Sequence, residues 1–216
     1  MAGLLGVLVA GGPGSRLSSV TPKALVEVGG VTLLARALAV LESVCGEVVV
    51  VAPATLALPV PAAMRVADGP GTAGPLAGVA AGLAARSFEC ALVLGVDFPL
   101  LRPAALVALH QRIGNATALV PAPGGTPQPL AAAYRPAAAA KLAAALARGE
   151  RALTPAVLAL PARLIADDEL ERLEGGLANF FNLNTPEDLV EAERRLGVVS
   201  AAGRGSRAGL GKRGPA

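Results

Sequence analysis

The chain has 216 residues, of which 53% are apolar but only 2% aromatic, so a core of Ala, Val and Leu in a soluble α/β domain is expected. Residues 201–216 carry +4, from Arg204, Arg207, Lys212 and Arg213, so the net charge of +3 leaves about −1 for residues 1–200. This near-neutral body argues against a basic protein that binds nucleic acid.

The first predicted element is a buried strand at residues 4–10. The same run could pass for the apolar part of a signal peptide, but no basic residue precedes it and a glycine-rich loop follows. No apolar run reaches the roughly 18 residues needed to span a bilayer. We therefore expect a cytoplasmic protein with no membrane segment.

The next elements predict a βαβ unit. An amphipathic segment at residues 32–43, with Thr32 as its N-cap, lies between the first strand and a second apolar strand at residues 47–52. Residues 25–28 and 91–96 are predicted as further strands. Helices are predicted at residues 74–86, 103–112, 137–148 and 186–196. This alternation predicts a three-layer α/β/α sandwich.

The tail and the two cysteines are not expected to take part in catalysis. We predict one folded domain over residues 1–197 and a disordered basic tail over residues 198–216, which has almost nothing to bury. Cys45 and Cys90 are far apart and lack Cys-x-x-Cys spacing. Two reduced, buried thiols are therefore expected rather than a disulfide or a metal site.

A glycine-rich, basic loop, Gly11-Gly12-Pro13-Gly14-Ser15-Arg16, follows the first strand. In a doubly wound sheet, ligands bind beyond the carboxyl ends of the strands, and glycines let backbone N–H groups approach phosphate oxygens. Arg16 can donate two hydrogen bonds to a phosphate. The loop is neither a P-loop nor a dinucleotide-binding fingerprint, because the required spacings are missing. A triphosphate cradle and a plain glycine-rich turn both remain open at this point.

Lys23 follows Pro22 and lies between this loop and the strand predicted at residues 25–28. A lysine in that place is a mobile point charge suited to an α-phosphate or to pyrophosphate. The alternative is a solvated surface lysine, but the glycine-rich loop just upstream favours a phosphate site.

Two aspartates follow predicted strands. Asp97 ends the apolar strand at residues 91–96, where a carboxylate can hold Mg²⁺ together with substrate phosphates. Asp68 ends a short strand and begins a glycine-rich loop into the helix at residues 74–86, whose N-terminus favours anions. The alternatives are a turn or N-cap aspartate for Asp97 and an ordinary strand–loop–helix connection for Asp68.

Asn182 and Asn184 are separated by one residue, so both side chains face the same way if the segment is extended. Two amides facing a site indicate contact with a second substrate or with a metal-bound water. The alternative is that an asparagine caps the last helix together with Thr185. His110 and Tyr134 have no recognisable partners and are given no catalytic role.

Taken together, these motifs resemble the molybdenum cofactor guanylyltransferase family, within the nucleotidyltransferases of the Rossmann-like sugar-nucleotide type. The matching stretches are residues 9–16, 22–28, 68, 74–78, 96–99, 127–130, 149–151 and 182–186. The resemblance implies a Rossmann-like nucleotidyltransferase fold with a mostly parallel sheet. It also implies transfer of GMP from GTP to the phosphate of molybdenum-bound molybdopterin, which gives the guanine dinucleotide cofactor and pyrophosphate.

The resemblance also implies a role for particular residues. The family's nucleotide contacts fall on Val9, Ala10, Gly11, Gly12, Lys23, Asp68 and Asp97. The implied catalytic residues are Lys23, Arg16 and Asp97, and Asp97 is also the implied Mg²⁺ ligand. The residues implied to face molybdopterin are Gln128, Asn182 and Asn184. GTP and molybdopterin are the implied substrates, with molybdenum-insertion proteins and molybdoenzyme chaperones as implied protein partners.

One departure from the family pattern leaves the nucleotide base open. The second strand runs into Ala52-Pro53-Ala54, where this family often has an asparagine-bearing turn that contacts the nucleotide. One alternative is therefore a related nucleotidyltransferase that uses CTP or another phosphate acceptor. Another is a non-catalytic nucleotide-binding protein, and a nucleic-acid binder would rest on the basic tail alone.

Overall fold

The computed structural model describes residues 3–12, 17, 21–67 and 74–198. Its strands are Leu4–Val9 (β1), Glu27–Val28 (β2), Val31–Thr32 (β3), Glu47–Ala52 (β4), Arg65–Ala67 (β5), Cys90–Gly95 (β6), Ala118–Pro121 (β7), Ala131–Tyr134 (β8) and Ala162–Ile165 (β9). Its α-helices are Leu33–Glu42 (α1), Pro75–Ala84 (α2), Pro103–Arg112 (α3), Pro136–Ala147 (α4), Leu153–Leu158 (α5), Asp167–Leu170 (α6) and Pro186–Leu196 (α7). Short 3-10 helices lie at Lys23–Leu25, Ala62–Met64, Pro123–Gly125 and Gly176–Phe180.

The central sheet has seven strands in the order β5-β4-β1-β6-β8-β7-β9 and is mostly parallel. β1 pairs in parallel with both β4 and β6, while β4 pairs in parallel with β5, and β7 with β9. Among the strands of this sheet, β8 alone runs antiparallel to its neighbours. The carboxyl ends of β4, β1 and β6 therefore meet side by side at one edge.

Helices cover both faces of this sheet. Along β1, Leu4 and Leu8 belong to one buried cluster with residues of α1 and α3, whereas Leu5 and Val7 belong to a second cluster with residues of α2, α4 and α5. Successive side chains of a strand point to opposite faces, so a strand buried on both sides is apolar throughout. The predicted three-layer α/β/α sandwich and its mostly parallel sheet are confirmed.

The strand predicted at residues 25–28 is wrong in its first half. Leu25 N donates to the Pro22 carbonyl oxygen at 2.8 Å, so the chain turns here as a 3-10 helix. β2 begins only at Glu27 and pairs with β3 through a turn at Gly29 and Gly30, which have φ of 60° and 78°. Two central residues with positive φ make the tight turn that suits a two-residue hairpin.

The other predicted helices and strands lie within about two residues of their expected ends, and those at 103–112 and 186–196 have the observed bounds. Thr32 caps α1 as predicted, with its Oγ1 accepting a hydrogen bond from Ala35 N at 3.1 Å. β3, β7, β9, α5 and α6 have no counterpart among the predicted elements. None of the described helices is long and apolar enough to cross a membrane. The division into a domain at 1–197 and a tail at 198–216 stays a prediction, because residues 199–216 lie outside the described residues.

Candidate active site

The candidate site lies where β1 and β6 end. Val9 is the last residue of β1 and pairs in register with Gly95, the last residue of β6. Just beyond them, Ala10 N donates to the Val51 carbonyl oxygen of β4 at 2.8 Å, which keeps the start of the first loop in line with the sheet. Loops that leave neighbouring parallel strands at one edge form the usual ligand site of such sheets.

Lys23 is a buried lysine at this edge, with only 7% of the residue exposed. Its Nζ donates to Asn184 Oδ1 at 2.8 Å and lies 3.3 Å from Asp97 Oδ2. A buried ammonium is costly unless it has an opposite charge and hydrogen-bond acceptors, and these two partners supply both. The alternative of a solvated surface lysine is therefore wrong.

One carboxylate oxygen of Asp97 has no hydrogen-bond partner in the described part of the chain. Its Oδ2 faces Lys23, whereas Oδ1 is buried and has no hydrogen-bond acceptor or donor among the described residues. A Cβ added at Gly95 would collide with this oxygen, so the carboxylate needs a glycine there. The N-cap position of α3 belongs to Arg102, so the alternative of an N-cap role for Asp97 is wrong. A buried oxygen left unpaired in the protein is suited to a ligand.

Asn182 and Asn184 reach the same corner from the far end of the chain. Leu183 N, between them, donates to the Asp97 carbonyl oxygen at 2.9 Å. Asn184 Nδ2 donates to Asn182 Oδ1 at 2.8 Å, which leaves Asn184 Oδ1 to accept from Lys23. The two amides therefore meet as the spacing predicts, and one of them contacts the buried lysine.

Capping of α7 is carried out by Thr185 rather than by an asparagine. Thr185 Oγ1 accepts from Asp188 N at 3.2 Å, and Asp188 Oδ2 accepts from Thr185 N at 2.8 Å, which completes a capping box. Asp188 Oδ2 also accepts from Asn184 N at 2.8 Å. The hydrogen bonds from the backbone N–H groups, that of Asn184 first, lower the pKa of the Asp188 carboxyl below its ordinary value.

A cleft of about 380 Å³ opens beside the cluster formed by Lys23, Asp97, Asn182 and Asn184. Gln128 and Asn182 both line it, together with Phe98, Pro75 at the start of α2, and residues of α5. This volume lies in the range of small-molecule sites. Two of the three predicted acceptor residues thus share one cavity, and Asn184 is hydrogen-bonded to one of them. A larger cleft of about 720 Å³ lies between α4 and α5, and no predicted site residue lines it.

The first loop packs against the loop that follows β4. Ala10 is buried, and a Cβ added at Gly11 would lie 2.8 Å from Pro53 Cδ, so the close approach requires glycine. At Gly12, an exposed residue, the added Cβ would meet no described atom within 4 Å. The nucleotide contacts predicted for Val9, Ala10, Gly11 and Gly12 therefore lie on a backbone segment that packs against the sheet and the loop after β4 and becomes exposed at Gly12.

Two of the predicted site residues lie outside the described residues. Arg16 belongs to the second half of the glycine-rich loop, and Asp68 to the loop between β5 and α2. Their roles stay predictions.

Three further residues, which the sequence analysis did not identify, support the segments that form the site. Arg65 Nη2 donates to the Leu56 carbonyl oxygen at 2.7 Å and so fixes the loop after β4. Asn179 is fully buried, and its Oδ1 accepts from Arg102 N at 2.9 Å, which joins the segment before Asn182 to the start of α3. The third residue is Asp188. A Thr-x-x-Asp pattern at a helix start would have identified Asp188, whereas Arg65 and Asn179 have no local signal.

None of the other titratable groups considered in the sequence analysis is assigned a role in the reaction. Tyr134 is fully buried, its hydroxyl donates to the Pro129 carbonyl oxygen at 2.7 Å, and burial raises its pKa. Cys45 and Cys90 are free and buried, as predicted, and burial raises their thiol pKa values to about 12 and about 11. Thiols with such pKa values stay protonated and unreactive near neutral pH. His110 lies on α3, and its Nδ1 is buried with no hydrogen-bond partner among the described residues.

The residues present fit a metal ion that arrives with a nucleotide. Within the described ranges there is no group of three or more His, Cys, Asp or Glu side chains that could hold a metal ion. Asp97 Oδ1, however, is a buried carboxylate oxygen with no partner in the part of the chain that the structure describes. Magnesium is commonly bound through one or two carboxylates plus substrate phosphates and water.

A mostly parallel sheet with a lysine, a carboxylate and two amides at its carboxyl edge is an arrangement that suits an α/β nucleotidyltransferase. Comparison with known sequences agrees, since the MobA-like NTP transferase domain matches residues 6–162. The chain therefore belongs to the MobA-like NTP transferase family, a family of nucleotidyltransferase enzymes, which also indicates the use of a divalent metal ion.

Two curated relatives carry the same name. A probable molybdenum cofactor guanylyltransferase of Chloroflexus aggregans is 37% identical over 201 residues, which cover 90% of this chain and 96% of the relative. A protein of the same name from Natronomonas pharaonis is 35% identical and covers 88% of this chain and 97% of the relative.

Two solved structures show the same fold. Molybdopterin-guanine dinucleotide biosynthesis protein A from Archaeoglobus fulgidus matches with a TM-score of 0.74 at 25% identity, over 90% of this chain and 98% of that one. The 2-C-methyl-D-erythritol 4-phosphate cytidylyltransferase of Thermus thermophilus matches with a TM-score of 0.66 at 25% identity, over 92% of this chain and 100% of that one. The fold is thus shared by enzymes that are named for different nucleotides.

Proposed function

We propose that this protein transfers GMP from GTP to the phosphate of molybdenum-bound molybdopterin, which gives the guanine dinucleotide cofactor and pyrophosphate. The observation that carries the proposal is the contact of buried Lys23 with Asp97 and Asn184 at the carboxyl edge of the sheet. The names of the relatives supply the nucleotide and the acceptor.

The proposed reaction is an attack by a phosphate oxygen of molybdopterin on the α-phosphorus of GTP. A new phosphorus–oxygen bond forms, the bond to the bridging oxygen of the β-phosphate breaks, and pyrophosphate leaves. The nucleophile is already an anion, so no strong general base is needed. Catalysis then depends on alignment of the two phosphates and on neutralisation of their charge.

Lys23 supplies positive charge to this reaction. Its flexible side chain lets the ammonium exchange its bonds to Asn184 and Asp97 for oxygens of the α-phosphate or of pyrophosphate. We assign the same task to Arg16 and a nucleotide contact to Asp68. The backbone of Val9, Ala10, Gly11 and Gly12 would lie along the nucleotide.

Asp97 would hold Mg²⁺ through the oxygen that has no partner among the described residues. When bound, Mg²⁺ offsets negative charge on the α-phosphate and on the leaving pyrophosphate. Lys23 faces the other oxygen, Asp97 Oδ2, so the lysine and the metal ion need not compete for the same carboxylate oxygen.

The acceptor would occupy the cleft of about 380 Å³ beside the cluster. Gln128 and Asn182 offer amide groups from its wall, and Asn184 joins them through Asn182. Amides can hydrogen-bond both the donors and the acceptors of a pterin ring. The cytoplasmic location and the protein partners stay predictions.

The competing function is transfer from CTP, and it has specific support. The loop after β4 presents Pro53 to Gly11 rather than an amide side chain, and the Thermus thermophilus relative in structure is a cytidylyltransferase. The test supplies molybdenum-bound molybdopterin and Mg²⁺ with either GTP or CTP, and measures released pyrophosphate and the dinucleotide product by mass spectrometry.

We expect Mg²⁺-dependent turnover with GTP and at least about tenfold less with CTP, the discrimination that one well-placed contact gives. Turnover with CTP but not GTP would overturn the proposal. Binding of a nucleotide without turnover of either would make the protein a non-catalytic nucleotide-binding protein.

A further inference from the structure

We infer that Asp188 is a positioning residue for the reaction, because its carboxylate fixes Asn184 and, through Asn184, the resting place of Lys23. This inference rests on the proposed function and adds to it a residue on α7 that acts through another residue. Asp188 differs from the N3 residue of an ordinary capping box in accepting one additional hydrogen bond.

That additional bond lies one residue upstream of the cap. A capping box needs the N3 side chain to accept only from the N-cap N–H, here that of Thr185. The same oxygen, Asp188 Oδ2, also accepts from Asn184 N at 2.8 Å. Leu183 N is held in turn by the Asp97 carbonyl oxygen at 2.9 Å. Three successive N–H groups are therefore held by two aspartates.

This hold on the backbone decides where the side chain of Asn184 points. Asn184 is an exposed residue, and an exposed asparagine on a free loop has no single preferred orientation. Here its Oδ1 accepts from Lys23 and its Nδ2 donates to Asn182. The fixed backbone thus presents the Asn184 amide to the lysine on one side and, on the other, to Asn182, which lines the acceptor cleft.

Loss of this orientation would change the surroundings of Lys23. Asn184 Oδ1, at 2.8 Å, is the nearer of the two partners that the structure gives Lys23 Nζ, and Asp97 Oδ2 lies at 3.3 Å. Without Asn184 in place, the ammonium would close on Asp97 or leave the buried corner. Either change misplaces the charge that the reaction needs, and small misplacements of catalytic groups lower rates strongly.

The test compares four variants of the full chain. Asp188→Ala removes the acceptor for both N–H groups. Asp188→Glu keeps the charge and the usual capping-box residue but places the carboxylate one methylene further out, so it disturbs the bond to Asn184 more than the cap. Two controls separate the other effects: Glu187→Ala removes an exposed first-turn charge, and Thr185→Ala removes the cap hydroxyl while leaving the Asp188 side chain.

We expect kcat to fall about fivefold in Asp188→Ala and about threefold in Asp188→Glu, with the KM for GTP changed less than twofold, because a misplaced charge is felt mainly in the transition state. Thr185→Ala should lower the melting temperature by a few degrees. It should keep kcat within about twofold, as should Glu187→Ala.

A second measurement does not depend on the reaction. Limited acetylation followed by peptide mass spectrometry gives the labelling rate of Lys23 relative to exposed Lys141 in the same sample. We expect this ratio to rise at least threefold in the two Asp188 variants and to stay unchanged in both controls. If the wild type transfers no GMP, the proposed function fails, whereas this ratio still tests the positioning role.

An unchanged ratio and an unchanged kcat in folded Asp188→Ala would overturn the inference. If Asp188→Ala does not fold, Asp188→Glu carries the same test. A kcat loss in Thr185→Ala equal to that of Asp188→Glu would also overturn it, because the effect would then belong to the helix cap.

Discussion

Charged groups gather at both ends of α7, and the two clusters differ in almost every respect. Near its C-terminus, Glu191 is bonded to Arg194 at 2.7 Å and to Arg195 at 2.6 Å, and all three side chains are substantially exposed. Beyond its N-terminus, Lys23 and Asp97 are 3.3 Å apart but largely buried. The shorter bonds are therefore the ones that water and salt screen most.

The clusters also differ in how they are assembled. The contacts of Glu191 lie three and four residues along one helix, which is the local pattern that many amphipathic helices make. Lys23 and Asn184 are 161 positions apart and meet only in the folded chain. The buried cluster also leaves Asp97 Oδ1 without a described partner, which disfavours folding. Burial and convergence of distant segments, rather than bond length, therefore distinguish a candidate active site from a surface ion network.

The strongest test of this difference is Asp97→Asn. The substitution removes the carboxylate that neutralises Lys23 and that would bind the metal ion, while it keeps the side-chain shape. We expect the rate of GMP transfer to fall about a hundredfold, the magnitude seen when a preorganised electrostatic group is lost. Steady-state kinetics over a Mg²⁺ titration measures it. A rate within threefold of the wild type would remove Asp97 from the mechanism.

The next effect in size is expected for Lys23→Ala. It removes the positive charge at the site but leaves Asp97 free to bind a cation, so we expect kcat to fall at least tenfold. The same kinetic assay measures it, with Lys141→Ala as the matched surface lysine. Near-normal turnover of Lys23→Ala would show that burial of the lysine serves the fold alone.

The sequence carried enough signal for most of the fold. β1, β4 and β6 have six residues each and are apolar apart from Glu47 at the start of β4. α3 and α7 begin at prolines that mark the first helical turn. β7 and β8 were harder to predict, because each has only four residues. β8 consists of three alanines and a tyrosine and so has weak β-propensity, and it is held by pairing with β6 and β7, while β7 pairs with β8 and β9. The strand predicted at residues 25–28 was wrong at its start, because Lys23–Leu25 forms a 3-10 helix after Pro22 and the strand begins only afterwards.

The candidate site was predictable where its residues follow strands. Asp97 and the first loop come directly after β6 and β1, and topology alone brings such positions together. The supporting contacts were not predictable, because Arg65 and Asn179 bond to carbonyl and N–H groups that are distant in sequence or lie in irregular loops. Asn184 was partly predictable. Its spacing from Asn182 indicated a shared site, but its contact with Lys23 could be seen only in the folded structure.

A smaller effect is expected for Asn184→Ala, which removes a neutral partner of the lysine rather than a charge. We expect kcat to fall about fivefold. In the double variant with Asp188→Ala, kcat should fall no further than in the single variants, because the effects of substituting residues that act through one another do not add. Kinetics of the two single variants and the double variant measure this. Multiplied losses in the double variant would show that Asp188 acts by a route other than Asn184.

The smallest effect is expected for Glu191→Gln at the exposed end of α7. Hydrogen bonds from Arg194 and then Arg195 lower the pKa of Glu191 from 4.5 to about 2. A lowered folded-state pKa contributes stability that is present above pH 4.5 and is lost as the pH falls toward 2. Thermal unfolding should therefore separate wild type and variant slightly at pH 7 in low salt, and not at pH 2 or in 1 M NaCl, where the Debye length is about 3 Å. The kcat should stay within about twofold. A loss of activity like that of Lys23→Ala would mean that the exposed cluster serves the reaction and that burial is the wrong criterion.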